Sequence, residues 1–347
     1  MKNKLLFSVL ACVILGAAAC TNLSDDNSIV QKPVPEDGLC HVSVTATTVK
    51  TRGHETGSPE DNRIDNIQVF IFRNTGGADN GILDASGSAS GTTVDLSCTF
   101  GPKIVYAVTN APLITNVSTV NELKAVVTNL SDNLRENLMT EKFVMVGRVE
   151  KNMDFANPAL SVEVTRRVSK LTLEAIYFDM SSAYYQNSDI VFRRAYLANA
   201  VTVAHLDENY TPVAADYANK GTFTSSSADR LLCFNANEEI DPTDPRYISA
   251  IDFYAYPNPS TGNDTSMNPW TVRRSRLVIE CSFNSEIFYY PIDLPALEAN
   301  TYYTIERVTI TRPGGKDPNK PIEFGDLTYN LTITDWEMTT LTDGTNI

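Results

Sequence analysis

The sequence predicts an all-β protein with one or two short helices, and three observations carry that prediction. Strand-favouring residues are plentiful: the 347 residues include 15 Tyr and 14 Phe, side chains that suit a pleated, half-buried surface. Short runs of alternating apolar and polar residues recur along the chain between Gly, Pro, Asn and Asp turns, the pattern of β-sandwich or barrel-like domains. Helical periodicity is confined to one segment, and no fixed-period repeat points to a solenoid or propeller. The chain is long enough for two modest domains or one large one. Its net charge of −14 repels phosphate backbones and anionic headgroups, which argues against a nucleic-acid partner.

The first element is not a strand. MKNKLLFSVLACVILGAAAC places Lys2 and Lys4 before an apolar run from Leu5 to Ala19. It is too short and too weakly flanked for a spanning helix and reads as a secretory signal peptide over residues 1–19. Ala17, Ala18 and Ala19 precede Cys20, so the signal ends in a lipobox. A thiol at the new N-terminus carries acyl chains, each buried CH₂ contributing roughly 0.8 kcal/mol to membrane anchoring. The acidic pair Asp25 and Asp26 resembles an export signal to the outer face, and the polar, Pro-containing stretch up to about Leu39 reads as a tether.

The first strand is CHVSVTATTVK, with Val42, Val44 and Ala46 on one face and Ser43, Thr45 and Thr47 on the other. It runs into Thr51, Arg52, Gly53 and a soft Gly, Glu, Ser and Pro segment, so a core-quality strand hangs on a linker that a protease could cut. RIDNIQVFIFRN is next, apolar on both faces. A Gly/Ser/Ala-rich loop is read from Gly76 to Gly91, followed by strands TTVDLSCTF and KIVYAVTNA around a Gly101-Pro102 turn. In STVNELKAVVTNL, Thr119 and Glu122 form a capping box, and Val120, Leu123, Val126, Val127 and Leu130 a core-facing helical stripe. FVMVGRVE and LSVEVTRRVSKLTLEAIYF return to strand. The second is too long for one strand, and Arg166-Arg167 is where the chain passes from one domain to the next. LLCFNA, ISAIDFYAYPNP, RSRLVIECSF, EIFYYPIDLP and YYTIERVTITRPGG follow as strands.

Chemistry is scarce. His41, His54 and His205 have no metal-ligand spacing, and no Cys/His cluster suits zinc. GSASG has Ala89 where a nucleophile elbow needs Ser. RPGGKDP lacks the spacing and the hydroxyl of a phosphate loop. Asp241, Asp244 and Asp264 make no calcium-loop pattern. The reading is no enzyme, no cofactor and no metal. Cys40, Cys98, Cys233 and Cys281 sit in a compartment that permits disulfides; four thiols and two bridges remain equally open, and no pairing is assigned.

Taken together, the lipobox ending at Cys20, the strand ending in Thr51-Arg52-Gly53, IDNIQVFIFRN, KIVYAVTNA ahead of NELKAVVTNL, VEVTRRVSKLTLEAI, and the closing LEANTYYTIERVTITRPGG…WEMTTLTDGTNI resemble the FimA/Mfa-type fimbrillins, the type V pilins. The resemblance implies two transthyretin-like β-sandwich domains in tandem. They would span 53–167 and 168–347, behind a lipidated tether and removable first strand at 20–52. It implies a lipid anchor at Cys20 in an outer membrane precursor and an Arg-specific processing protease acting at Arg52–Gly53, with Arg63 as the weaker substitute. It also implies polymerisation with other fimbrial subunits by strand exchange, in a cell-surface fimbria that supports adhesion and biofilm formation. In that scheme Val42, Val44 and Ala46 form a plug strand. The tail residues Trp336, Met338, Leu341 and Ile347 form a donor strand, each buried anchor worth roughly 1.5–3 kcal/mol. The alternatives are a tip or accessory subunit, or a monomeric surface lipoprotein that binds a glycan or host protein through an aromatic surface such as Tyr289-Tyr290.

Overall fold

A computed structural model of the chain describes residues 38–48, 59–134, 142–154, 159–180, 182, 185–320 and 327–335. Two β-sandwiches follow one another. The first is built from β1 (Cys40–Thr48), β2 (Asn66–Arg73), β3 (Leu83–Ser90), β4 (Thr93–Cys98), β5 (Gly101–Thr109), β7 (Met145–Met153) and β8 (Ala159–Arg166), with α1 (Val120–Lys124) and β6 (Val127–Asn129) between β5 and β7. The strands run in the order β3-β2-β5-β7-β8-β1-β4. The β7–β8 pairing is brief, Met145 with Arg166 and Val146 with Thr165, so the sheet folds there into two layers. Between the layers lie Ile67, Val69, Ile71, Val105, Ala107, Met145, Val162 and Val164, together with the inner row of β1. A second apolar cluster, including Phe70, Phe72, Tyr106, Val108 and Leu123, packs on the opposite face of β2 and β5. That second cluster explains why IDNIQVFIFRN is apolar on both sides.

The second sandwich comprises β9 (Ser169–Phe178), β10 (Ile190–Ala198), β14 (Cys233–Glu239), β15 (Arg246–Ala255), β16 (Arg276–Phe283), β17 (Glu286–Asp293), β18 (Thr301–Ile310) and β19 (Leu327–Asp335). The short elements β11 (Ala200–Val201), β12 (Val203–His205), β13 (Tyr217–Ala218) and α2 (Asp229–Leu232) lie between β10 and β14. Its two sheets are β14-β10-β16-β17 and β15-β9-β18-β19, and Leu171, Leu173, Phe192, Leu197, Ile279 and Ile305 fill the space between them.

Two readings of the sequence are corrected. The Gly/Ser/Ala-rich stretch is not all loop, because Leu83–Ser90 forms β3 on the edge beside β2. Small residues are needed there since β4 lies close above: a Cβ on Gly87 would meet Leu96 Cδ2 at 2.6 Å. The helix is also much shorter than its apolar stripe. The capping box forms as read, with the Glu122 N–H donating to Thr119 Oγ1 at 3.2 Å and the Thr119 N–H to Glu122 Oε2 at 3.0 Å, but α1 stops at Lys124. The chain then pairs with the second sandwich, Val127 opposite His205 and Asn129 opposite Val203. The N–H groups of Leu206 and Asp207 donate to the carbonyls of Val126 and Lys124. Val126, Val127 and Thr128 are β-branched and lose rotamer freedom in a helix, so the cross-chain ladder outcompetes further turns, and Val127 ends up 50% exposed.

The strand that began at Leu160 in the sequence breaks at Arg166–Ser169, where β8 ends and β9 begins. Arg166 is fully buried. Its guanidinium donates to the Asp61 carbonyl at 3.1 Å, to Asn300 Oδ1 at 3.0 Å and to Asn62 Oδ1. Burial pulls it down to about 10. Arg167 donates to the Asp207 carbonyl at 2.9 Å.

One buried ion pair braces the first sandwich. Asp84 of β3 accepts from the Thr99 N–H at 2.8 Å and lies 3.1 Å from Lys103 Nζ of β5, both side chains 2% exposed. Burial works to raise the Asp84 carboxyl, but the Thr99 hydrogen bonds and Lys103 outweigh it and hold the group below the ordinary carboxylate value. A depressed folded-state pKa contributes stability above the unfolded value, and that stability is lost as pH falls through the folded one. Asp84→Asn is therefore expected to destabilise the protein at pH 7, with the difference from wild type shrinking once pH drops below about 4. Urea unfolding at stepped pH measures this; a pH-independent difference would refute it.

Candidate functional site

The site is built around the first strand. β1 lies between two neighbours rather than along a surface. It pairs antiparallel with β4, from Cys40 opposite Cys98 to Thr45 opposite Thr93. It pairs parallel with β8, from Ser43 opposite Ala159 to Thr48 opposite Val164. Its inner side chains Cys40, Val42, Val44 and Ala46 are no more than 3% exposed. They pack against Ile67, Val69 and Ile71 of β2 and Val105 and Ala107 of β5. The strand's period of two puts small polar residues on the other face, and these bond to their neighbours: His41 Nδ1 lies 2.8 Å from Ser97 Oγ, Thr45 Oγ1 2.9 Å from Thr93 Oγ1, and Thr47 Oγ1 3.0 Å from Ser161 Oγ.

This geometry states what the strand does mechanically. β1 supplies hydrogen bonds to two edges and an apolar wall to the core. Burying Val42 and Val44 is worth roughly 3–6 kcal/mol together at 1.5–3 kcal/mol per side chain. Without β1, β4 and β8 would present facing unpaired edges about 9–10 Å apart, two strand spacings, over a floor of Ile67, Val69, Ile71, Val105 and Ala107. A slot of that width takes one added strand.

Cys20, Arg52, Gly53, Trp336, Met338, Leu341 and Ile347 lie outside the described residues. Arg63 is described. Its carbonyl accepts from Asn110 Nδ2 at 2.8 Å, its guanidinium sits 3.0 Å from Asp65, and Asp61 and Asn62 just before it are held by Arg166. Tyr290, half of the candidate aromatic surface, is fully buried and donates its hydroxyl to the Arg312 carbonyl at 2.8 Å. Among the described residues no group of three or more His, Cys, Asp and Glu side chains is placed to hold a metal ion.

Sequence reasoning missed β19, which ends immediately before Trp336. The signal was present, since Leu327, Tyr329, Leu331 and Ile333 alternate with Thr328, Asn330, Thr332 and Thr334. β19 pairs antiparallel with β18, Leu327 opposite Ile310 through Asp335 opposite Thr301, and is the last strand of its sheet among the described residues. Tyr329 and Ile333 are 40% and 52% exposed. Asp335 sits beside the start of β18, one residue from Asn300, whose N–H donates to the Val168 carbonyl. The strand leading to the tail thus ends next to the junction of the two sandwiches.

Residues 40–168, which run from the first residue of β1 to the junction, match the family described as major fimbrial subunit protein (FimA). Three solved structures share the fold over 86% of this chain. One is a candidate cell adhesion protein from Bacteroides eggerthii, with TM-score 0.61 and 19% identity, covering 86% of this chain and 96% of the other. Another is a fimbrilin, FimA, from Porphyromonas gingivalis, with TM-score 0.60 and 14% identity, covering 86% and 98%. The third is a candidate cell adhesion protein from Parabacteroides distasonis, with TM-score 0.57 and 15% identity, covering 86% and 100%. No curated protein matches the chain. The resemblance to fimbrillins read from the sequence is borne out, and the all-β sandwich reading with it.

Because Val44 faces the core and Ser43 does not, Val44→Ala is expected to cost about 2 kcal/mol and Ser43→Ala at most about 0.5 kcal/mol in urea unfolding. Equal costs would show that β1 is not a core strand.

Proposed function

We propose that this chain, with its FimA-family first sandwich and fimbrilin fold, is a structural subunit of a cell-surface fimbria. It is exported as a lipoprotein through Cys20 and switched on by cleavage at Arg52–Gly53. It then polymerises when the C-terminal segment of one subunit, carrying Trp336, Met338, Leu341 and Ile347, takes the place of residues 40–48 in the next. The observation that carries the reading is the interior position of β1: a strand whose main chain continues into the body through the Arg52 linker fills a slot that a single strand fits.

Cleavage alone would not empty the slot. The buried row and two hydrogen-bonded edges hold β1 after its covalent link is cut, so release is a displacement: the incoming strand must offer comparable burial and the same edge pairing. The tail's four large apolar residues, against β1's two valines, an alanine and a cysteine, tilt that exchange forward. Arg52 suits a protease better than Arg63. A peptide bond must be drawn out extended to enter a protease cleft, and the backbone at Arg63 is held by Asn110 and flanked by residues anchored to Arg166.

Treating the purified precursor with an Arg-specific protease under reducing conditions is expected to give a new N-terminus at Gly53 and a ladder of SDS-resistant multimers. Arg52→Ala abolishes both, and a chain ending at Asp335 is trimmed yet fails to extend the ladder. A wild-type product that is trimmed but stays monomeric would refute polymerisation and favour a monomeric surface lipoprotein.

A further inference from the structure

We infer that Cys40 and Cys98 join in a disulfide that ties the first strand to the body of the sandwich. All four described cysteines are thiols in the structure, but they are not placed alike. Cys40 and Cys98 stand directly opposite each other on β1 and β4. The Ala46 N–H donates to the Thr92 carbonyl across the same ladder. Counting back in steps of two therefore makes Cys40 and Cys98 a hydrogen-bonded pair, whose Cα atoms lie about 5.5 Å apart, in the middle of the range a disulfide spans. Both side chains point into the same core, 3% and 2% exposed, where the Cys40 thiol donates to the Asp154 carbonyl at 3.4 Å.

Cys233 and Cys281 form an internal contrast. They lie on β14 and β16, on either side of β10, opposite Tyr196 and Phe192 respectively. Two strand spacings, roughly 9–10 Å, separate those strands, beyond what a disulfide bridges. Cys281 also faces the main core, whereas Cys233 packs on the outer cluster. These two stay thiols.

The reaction needs an oxidant, and a disulfide compound supplies it: oxidised glutathione or the active disulfide of an exported thiol oxidase. One cysteine thiolate attacks that disulfide and releases a thiol. The second cysteine attacks the mixed disulfide and releases another thiol. The protein loses two hydrogens and the oxidant becomes two thiols. Burial raises both cysteines, Cys98 to about 12, so thiolate is scarce in the folded state. The bond therefore forms while β1 is docking, and outside thiols reach it only when β1 frays.

The consequence rests on the proposed processing; the bond itself does not. Cys40 precedes Arg52 in the chain and Cys98 follows it, so the disulfide bridges the cut. A cleaved but oxidised subunit keeps β1 tethered beside its slot, at an effective concentration no free strand in solution matches. A cleaved and reduced subunit can exchange it. Redox state then decides whether proteolysis leads to assembly.

The test has two arms. Full-length protein is reduced, denatured and refolded in the presence of oxidised glutathione, then blocked with N-ethylmaleimide in denaturant, digested and analysed by mass spectrometry. The expected result is Cys40 and Cys98 peptides joined and unlabelled, lighter by two hydrogens, with Cys233 and Cys281 labelled; labelling of all four overturns the inference. In the second arm the same protein is cut with an Arg-specific protease, denatured, and run on a denaturing gel with and without reductant. The N-terminal fragment is expected to stay with the body until reductant is added, and to separate without reductant in Cys98→Ser. Release from oxidised wild type without reductant overturns the latch. If the variant does not fold, the wild-type comparison with and without reductant still decides it. If reduced, cleaved protein does not assemble, the polymer reading falls while the labelling result still decides the bond.

Discussion

Everything in the first sandwich depends on a middle strand being present between β4 and β8. Those two do not touch as neighbours in the sheet; each is paired through β1. The inner row Cys40, Val42, Val44 and Ala46 also closes one side of the core against β2 and β5. A middle strand cannot be lost by fraying from one edge, because two sets of hydrogen bonds and an apolar face must be given up together. It can only be replaced by something of the same shape. That constraint makes the position suitable for an exchangeable part.

The second sandwich also has a strand at the same position. Its connectivity repeats the first. β9 pairs antiparallel with β15 and parallel with β18, as β1 does with β4 and β8. The facing sheet β14-β10-β16-β17 repeats β3-β2-β5-β7. Yet β9 is buried on both faces over most of its length. Lys170 on its outer side lies 2.9 Å from Asp252 and sits near the rings of Tyr254 and Tyr302. β1 instead carries His41, Ser43, Thr45 and Thr47 outward, held by hydroxyl and imidazole contacts. Exposed contacts of that kind add little net stability, so the grip on β1 comes from its inner row and its ladders alone.

The junction ties the sandwiches with main-chain bonds as well as side chains. The β6–β12 ladder crosses from one to the other, Phe143 stacks near Tyr254 at 5.0 Å between ring centres, and Leu130 and Phe143 belong to the second sandwich's core cluster. Arg166 gathers Asp61, Asn62 and Asn300 around one buried guanidinium. β19 ends at this junction, so the segment that follows starts from a braced point.

Alternation along ten residues is a local property, and it was legible. The strand at Val42–Thr47, its buried face, the break near Arg166-Arg167, the Thr119–Glu122 cap and the all-β class could all be read from side-chain order, because burial on one face imposes a period of two whatever the partner is. What the sequence left undetermined was partnership. The small residues of β3 looked like a loop until β4 lay over Gly87. Val126 and Val127 looked helical until β12 offered a ladder. Cys40 and Cys98 had no more claim on each other than on Cys233 or Cys281 until the β1–β4 register placed them face to face. Pairing joins residues dozens of positions apart, and its register depends on how every intervening strand is packed, so only the tertiary structure could decide it.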